Sequence, residues 1–108
     1  MSKKTIPAEI KKEVAAIVAT FNRQVLKDPN YYYEARFRGP YLYLDRFDYG
    51  RTGPICRLTY TGKMEKWEFA IYRYSKDCYD PDEWFFPGSG HVDGTVQGAM
   101  KAGLEAYP

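Results

Sequence analysis

Residues 31–47 read YYYEARFRGPYLYLDRF, and their period decides the fold. Tyr31, Tyr33, Ala35 and Phe37 alternate with Tyr32, Glu34, Arg36 and Arg38, the two-residue repeat that sends successive side chains to opposite faces of a β-strand. Gly39-Pro40 interrupts the run and Tyr41 to Phe47 resumes it. The pattern predicts two antiparallel strands, 31–38 and 41–47, joined by a tight turn. Eleven tyrosines, within an aromatic content of 18%, favour the same reading, because flat rings pack well on a pleated surface.

Upstream the period changes. Ile10, Val14, Ile17, Val18, Phe21 and Val25 recur at spacings of three and four, so the spacing predicts a helix over about 7–27 with one apolar stripe. Pro7 suits its first turn, and Asp28-Pro29-Asn30 stops it. Downstream, Asp48 to Pro54 reads as a longer turn, Ile55 to Tyr60 as a third strand, and Thr61-Gly62-Lys63 as the next turn. Residues 67–74 form a fourth strand, with Trp67, Phe69 and Ile71 on one face and Glu68, Ala70, Tyr72 and Tyr74 on the other. Residues 75–94 read as a loop. A last helix over about 95–106 opens at Asp93 or Thr95, and its Gly98 and Gly103 each cost about 1 kcal/mol relative to alanine, which close packing against a sheet would compensate.

The fold class is therefore α+β: a four-stranded antiparallel meander with an N-terminal and a C-terminal helix on one face, in a chain of 108 residues, the size of a single domain. The pattern leaves open which face the helices cover, since strand two carries Leu42 and Leu44 on one side and Tyr41, Tyr43 and Phe47 on the other.

Charge is nearly balanced at +2 but unevenly spread. Residues 1–30 hold six basic and three acidic groups, residues 31–76 nine and five, and residues 77–108 one and six. Nothing in the total demands nucleic acid or a membrane. Met1–Lys4 contribute no hydrophobic leader, no stretch approaches the ~20 apolar residues of a membrane span, and Cys56 and Cys78 lack metal-binding or redox spacing. The expected setting is the cytoplasm, with both thiols free.

The face left uncovered by the helices is the first candidate site. Tyr32, Arg36, Arg38, Tyr41, Tyr43 and Arg57, with Tyr72 and Tyr74 beyond them, mix flat rings with guanidinium groups. Single-stranded nucleic acid is bound by that chemistry: bases stack on rings and arginines meet phosphates. Cross-strand pairs that merely stabilise the sheet are the plainer account of the same residues. A protein-interaction or self-association surface, on that face or at Trp84-Phe85-Phe86, is the alternative. A weaker one is a small-ligand or metal site in loop 77–95. Asp77, Asp80, Asp82 and Glu83 supply oxygens there but miss the EF-hand pattern, and the Gly88–Thr95 stretch lacks a Walker lysine. His91 and Cys78 have no spacing that would make a nucleophile and base, so the residues point to a binding module rather than an enzyme, with no cofactor implied.

Arg57-Leu58-Thr59-Tyr60, Lys66 to Tyr72, and Asp82-Glu83-Trp84, set in the order helix, meander, helix, resemble a family of small bacterial domains of unknown function. The resemblance implies the architecture and carries no activity.

Overall fold

In a computed structural model that describes residues 5–108, the 31–47 segment forms the expected hairpin. Strand β1 (Tyr31–Arg38) pairs antiparallel with β2 (Tyr41–Asp48), Arg38 opposite Tyr41 and Tyr32 opposite Phe47. Met1–Lys4, read above as lacking a leader, lie outside the described residues. Strands β3 (Arg51–Thr59), β4 (Glu68–Arg73) and β5 (Cys78–Asp80) follow in sequence order, each antiparallel to its predecessor.

The sheet thus has five strands where the pattern predicted four. Strand β3 also begins at Arg51 rather than at Ile55. The 48–54 segment is not a long turn, because two residues suffice: Tyr49 and Gly50 both take positive φ, 47° and 98°, the signature of a type I′ hairpin. Gly53-Pro54 then lies inside the strand, beside a register slip between Leu44 and Asp45, and a bulge is where a strand tolerates proline. The fifth strand emerges from the presumed loop after Asp77, whose left-handed φ of 51° closes the reversal and whose carboxylate accepts from the Tyr72 hydroxyl.

Helix α1 (Ala8–Phe21) runs into a single π turn, Asn22–Leu26, and ends where Lys27 turns left-handed. The Asn22 amide there donates to the Tyr33 carbonyl (2.9 Å) and accepts from its N–H (2.8 Å). A side chain thereby stands in for a neighbouring strand at the open edge of β1, blunting a surface that would otherwise pair with another chain. Helix α2 (Val96–Ala106) is capped by Thr95, whose hydroxyl accepts from Gly98 N at 3.0 Å.

Both helices cover the leucine-bearing face. Leu42, Leu44, Leu58 and Ile71 are buried with Val14, Val18 and Phe21 of α1 and Val96, Ala99 and Met100 of α2. Tyr33, on the same face, meets Phe21 edge-on at 5.9 Å between ring centroids and donates its hydroxyl to the Met100 carbonyl at 2.7 Å. By the same two-residue period Arg46 points inward and is only 5% exposed. No helix among the described residues is long and apolar enough to cross a membrane.

The close packing expected of α2 is present. A Cβ on Gly103 would fall on the Tyr33 hydroxyl and on Ile55 Cγ2. Gly103→Ala should therefore lower stability by about 1–3 kcal/mol through overpacking, although alanine is intrinsically the better helix former by about 1 kcal/mol. Urea denaturation reads the sign directly, and a variant as stable as the parent or more so would show that α2 is not held at that distance.

Candidate binding face

The uncovered face is organised by register. Across β1 to β4, Arg36, Tyr43, Arg57 and Ala70 stand opposite one another in turn, and the adjacent row reads Arg38, Tyr41, Thr59 and Glu68. In the first row cations and rings alternate across the strands, and both of its guanidinium groups find a ring. Arg36 lies 4.5 Å from the Tyr43 ring centroid and Arg57 4.7 Å from that of Tyr41, distances at which the π face attracts the charge.

Strand β5, within the segment expected to be a loop, adds Tyr79. Tyr79 sits 5.4 Å from the Tyr43 ring and 5.4 Å from the Arg57 guanidinium, yet its strand is two places removed from β3. With strands about 4.8 Å apart, the ring must lean across β4 to reach them. In the row of Tyr43 and Arg57, strand β4 carries only Ala70, on the open face yet only 3% exposed, which leaves room for the ring. From Tyr79 the ring contacts continue edge-on to Tyr72 (5.0 Å), Tyr74 (4.8 Å) and Tyr107 (5.2 Å). The alternation Tyr72, Tyr74 signalled the row within β4, but three residues bounded by turn formers gave no comparable signal for Tyr79.

Four of the six candidate residues, Arg36, Tyr41, Tyr43 and Arg57, are thus brought together. Tyr32 lies apart, stacked on Phe47 at 5.0 Å, and Arg38 stands exposed at the hairpin end. The arginines also differ in their electrostatics. Arg36 bonds Asp45 through Nε at 3.0 Å, and that carboxylate raises its pKa. Arg57 makes no ion pair among the described residues, and its buried Nε finds no hydrogen-bond partner among them. Glu34 and Glu68 also belong to this face, so its charge is mixed rather than uniformly basic.

In the acidic segment three of the four candidate carboxylates, Asp77, Asp80 and Glu83, are spent internally. Asp80 and Glu83 both meet Arg73 at 3.3 Å, Asp77 takes the Tyr72 hydroxyl, and Asp93 accepts from Thr95. Among the described residues no group of three His, Cys, Asp or Glu side chains is placed to hold a metal ion. His91 pairs with Glu105 of α2, while Cys78 lies exposed on β5. The glycine-rich approach to α2 is a packing device: a Cβ on Gly88 would come within 2.6 Å of the Ala102 carbonyl.

No family model matches the chain, and no curated protein or solved structure does so.

Several tyrosines on and beneath this face hold their protons unusually firmly. The Asp77 carboxylate that accepts from Tyr72 pushes its pKa up to about 12, and burial raises those of Tyr79, Tyr74 and Tyr107. In the core, burial pushes Tyr33 and the Cys56 thiol up as well. The folded chain therefore binds more protons than the unfolded one once pH exceeds the ordinary thiol and phenol values of 9.0 and 10.0. Stability should be level between about pH 7 and 9 and fall steadily above that. Denaturation midpoints between pH 7 and 11 check this, and Asp77→Asn should bring the Tyr72 titration, followed by ultraviolet difference absorbance, back towards 10.0.

Proposed function

We propose that the chain is a non-enzymatic binding module whose open sheet face takes up single-stranded nucleic acid. The single observation that carries the reading is Arg57, a guanidinium set among Tyr41 and Tyr79 with no carboxylate to neutralise it among the described residues. A phosphate would supply the missing charge, and bases would stack on the half-exposed rings beside it. Asp45 already neutralises Arg36, so phosphate contact falls to Arg57 and Arg38, and the footprint is short. Tyr41 and Tyr43 present the stacking surface, with Tyr32 a separate platform at the far side of β1. Two free cysteines suit a cytoplasmic setting, and a bacterial origin follows only from the resemblance noted above.

Phe85, fully exposed beside a half-exposed Trp84, supports a second reading, in which a second copy of this chain covers these rings. Sedimentation velocity on the parent and on Phe85→Ser separates the two. A parent monomeric at every concentration removes self-association.

For nucleic acid, two phosphate contacts imply that log K falls with log salt at a slope of about −1.4. Arg57→Gln should halve that slope, and Tyr41→Ala should weaken binding by about 1–3 kcal/mol. Fluorescence anisotropy with a labelled single-stranded oligonucleotide measures all three. Absence of binding at ~50 mM salt, or binding indifferent to salt, would remove the proposal.

A further inference from the structure

The end of α2, the β2–β3 hairpin and Tyr74 enclose a cleft of about 480 Å³, within the size range of small-molecule sites. Arg46 lines it while remaining 95% buried, being 5% exposed. Its guanidinium donates to the Gly103 carbonyl at 3.4 Å and to the Tyr107 carbonyl, and lies 5.0 and 5.6 Å from the Tyr31 and Tyr33 ring centroids. Every one of these partners is neutral. Among the described residues Arg46 has no carboxylate partner, so a full charge is buried against helix-end carbonyls and ring faces that offset only part of its desolvation. A second guanidinium, Arg51, lines the same cleft. Asp48 is the one carboxylate residue among its lining.

The remaining wall is apolar or aromatic. Ile55, Tyr74 and Tyr107 supply it, and Tyr74 is fixed there by its hydroxyl donating to the Pro54 carbonyl at 2.8 Å. That contact requires the bare backbone of Gly53, since a Cβ would stand 2.8 Å from the Tyr74 hydroxyl. Among the lining side chains two cations stand against one anion, beside flat hydrocarbon walls, a combination that suits a ligand with both features. We propose that this cleft binds a small organic carboxylate with an aromatic or apolar body. Its carboxylate lies between Arg46 and Arg51, where planar guanidinium donors match its two oxygens. Its body rests against Ile55 and the two tyrosines. Asp48 disfavours multiply charged anions by repulsion.

The test is an amide NMR titration of the full chain with phenylacetate, with phenylacetamide as its neutral counterpart and acetate and inorganic phosphate as anions without the body. Phenylacetate should give saturable shifts at Arg51, Thr52, Gly53 and Tyr107. Phenylacetamide, acetate and phosphate should bind at least about tenfold more weakly, as expected when a charge-assisted pair or the apolar contact is lost. Because Arg46 also anchors α2, the variant for the test is Arg51→Gln at the cleft's exposed side, which should weaken phenylacetate about tenfold while leaving the spectrum elsewhere unmoved. No saturable shift up to ~10 mM, a range that covers millimolar affinities, would overturn the proposal. So would phenylacetamide binding as well as phenylacetate, phosphate binding as well as phenylacetate, or an Arg51→Gln variant that binds like the parent.

Discussion

A buried arginine sets the terms for the rest of this fold. Strand β2 alternates Leu42, Leu44 and Arg46 on one face, so the pleat that buries two leucines carries a guanidinium into the core with them. Burying a charge is costly unless its field is answered. Here the answer comes from the C-terminal end of α2, where helix carbonyls concentrate negative potential, and from the Tyr31 and Tyr33 rings across the hairpin. Helix α2 must therefore end at that spot on the sheet, close enough for its carbonyls to reach Arg46. Gly103 gives the approach, and the Tyr33 hydroxyl on the Met100 carbonyl holds the preceding turn at the same depth. A helix with two glycines, poor by intrinsic propensity, is thereby fixed by two side chains of one hairpin, Arg46 and Tyr33.

With the helices committed to the leucine face, the tyrosine face is left to water, and its composition is what that requires. Tyrosine on a solvated sheet buries its ring edge-on against neighbours while its hydroxyl stays wet. Arginine lays its guanidinium flat on the rings beside it. The result is a lattice in which Tyr43 and Tyr79 touch across two intervening strands because β4 places only an alanine between them. The same lattice has a second consequence. Where rings and cations already satisfy one another a ligand has little to gain, and on this face the arginines without an ion pair among the described residues are Arg57 and Arg38.

The hairpin and the first helix were legible because their periods are clean: two residues across 31–47, three and four across 10–25. The fifth strand was not, since Cys78-Tyr79-Asp80 is too short to show a period and lies between Asp77 and Pro81, both turn formers. The start of β3 was hidden for a related reason. Gly53-Pro54 reads as a turn, but a bulge lets the strand pass through it, while the true turn uses Tyr49, a residue with no turn preference, at positive φ. The choice of covered face was illegible on hydrophobicity alone, because the leucine face also carries an arginine and the opposite face carries rings. What distinguishes the covered face is tertiary: there Arg46 meets the carbonyls at the end of α2. On the candidate site, the arginines and tyrosines of β1 to β3 were readable from alternation. The pairing of Arg36 with Asp45, and hence the different standing of Arg57, depended on a register that no periodicity specifies.

The two surfaces are joined through the same buried group. Ring contacts run from Tyr43 through Tyr79, Tyr72 and Tyr74 to Tyr107, and the Tyr107 hydroxyl donates to the Tyr72 carbonyl at 2.5 Å. Tyr107 is also the residue whose carbonyl Arg46 holds. To move Tyr107 in the cleft is to disturb both the last ring of the open-face lattice and the compensation of the core's charge.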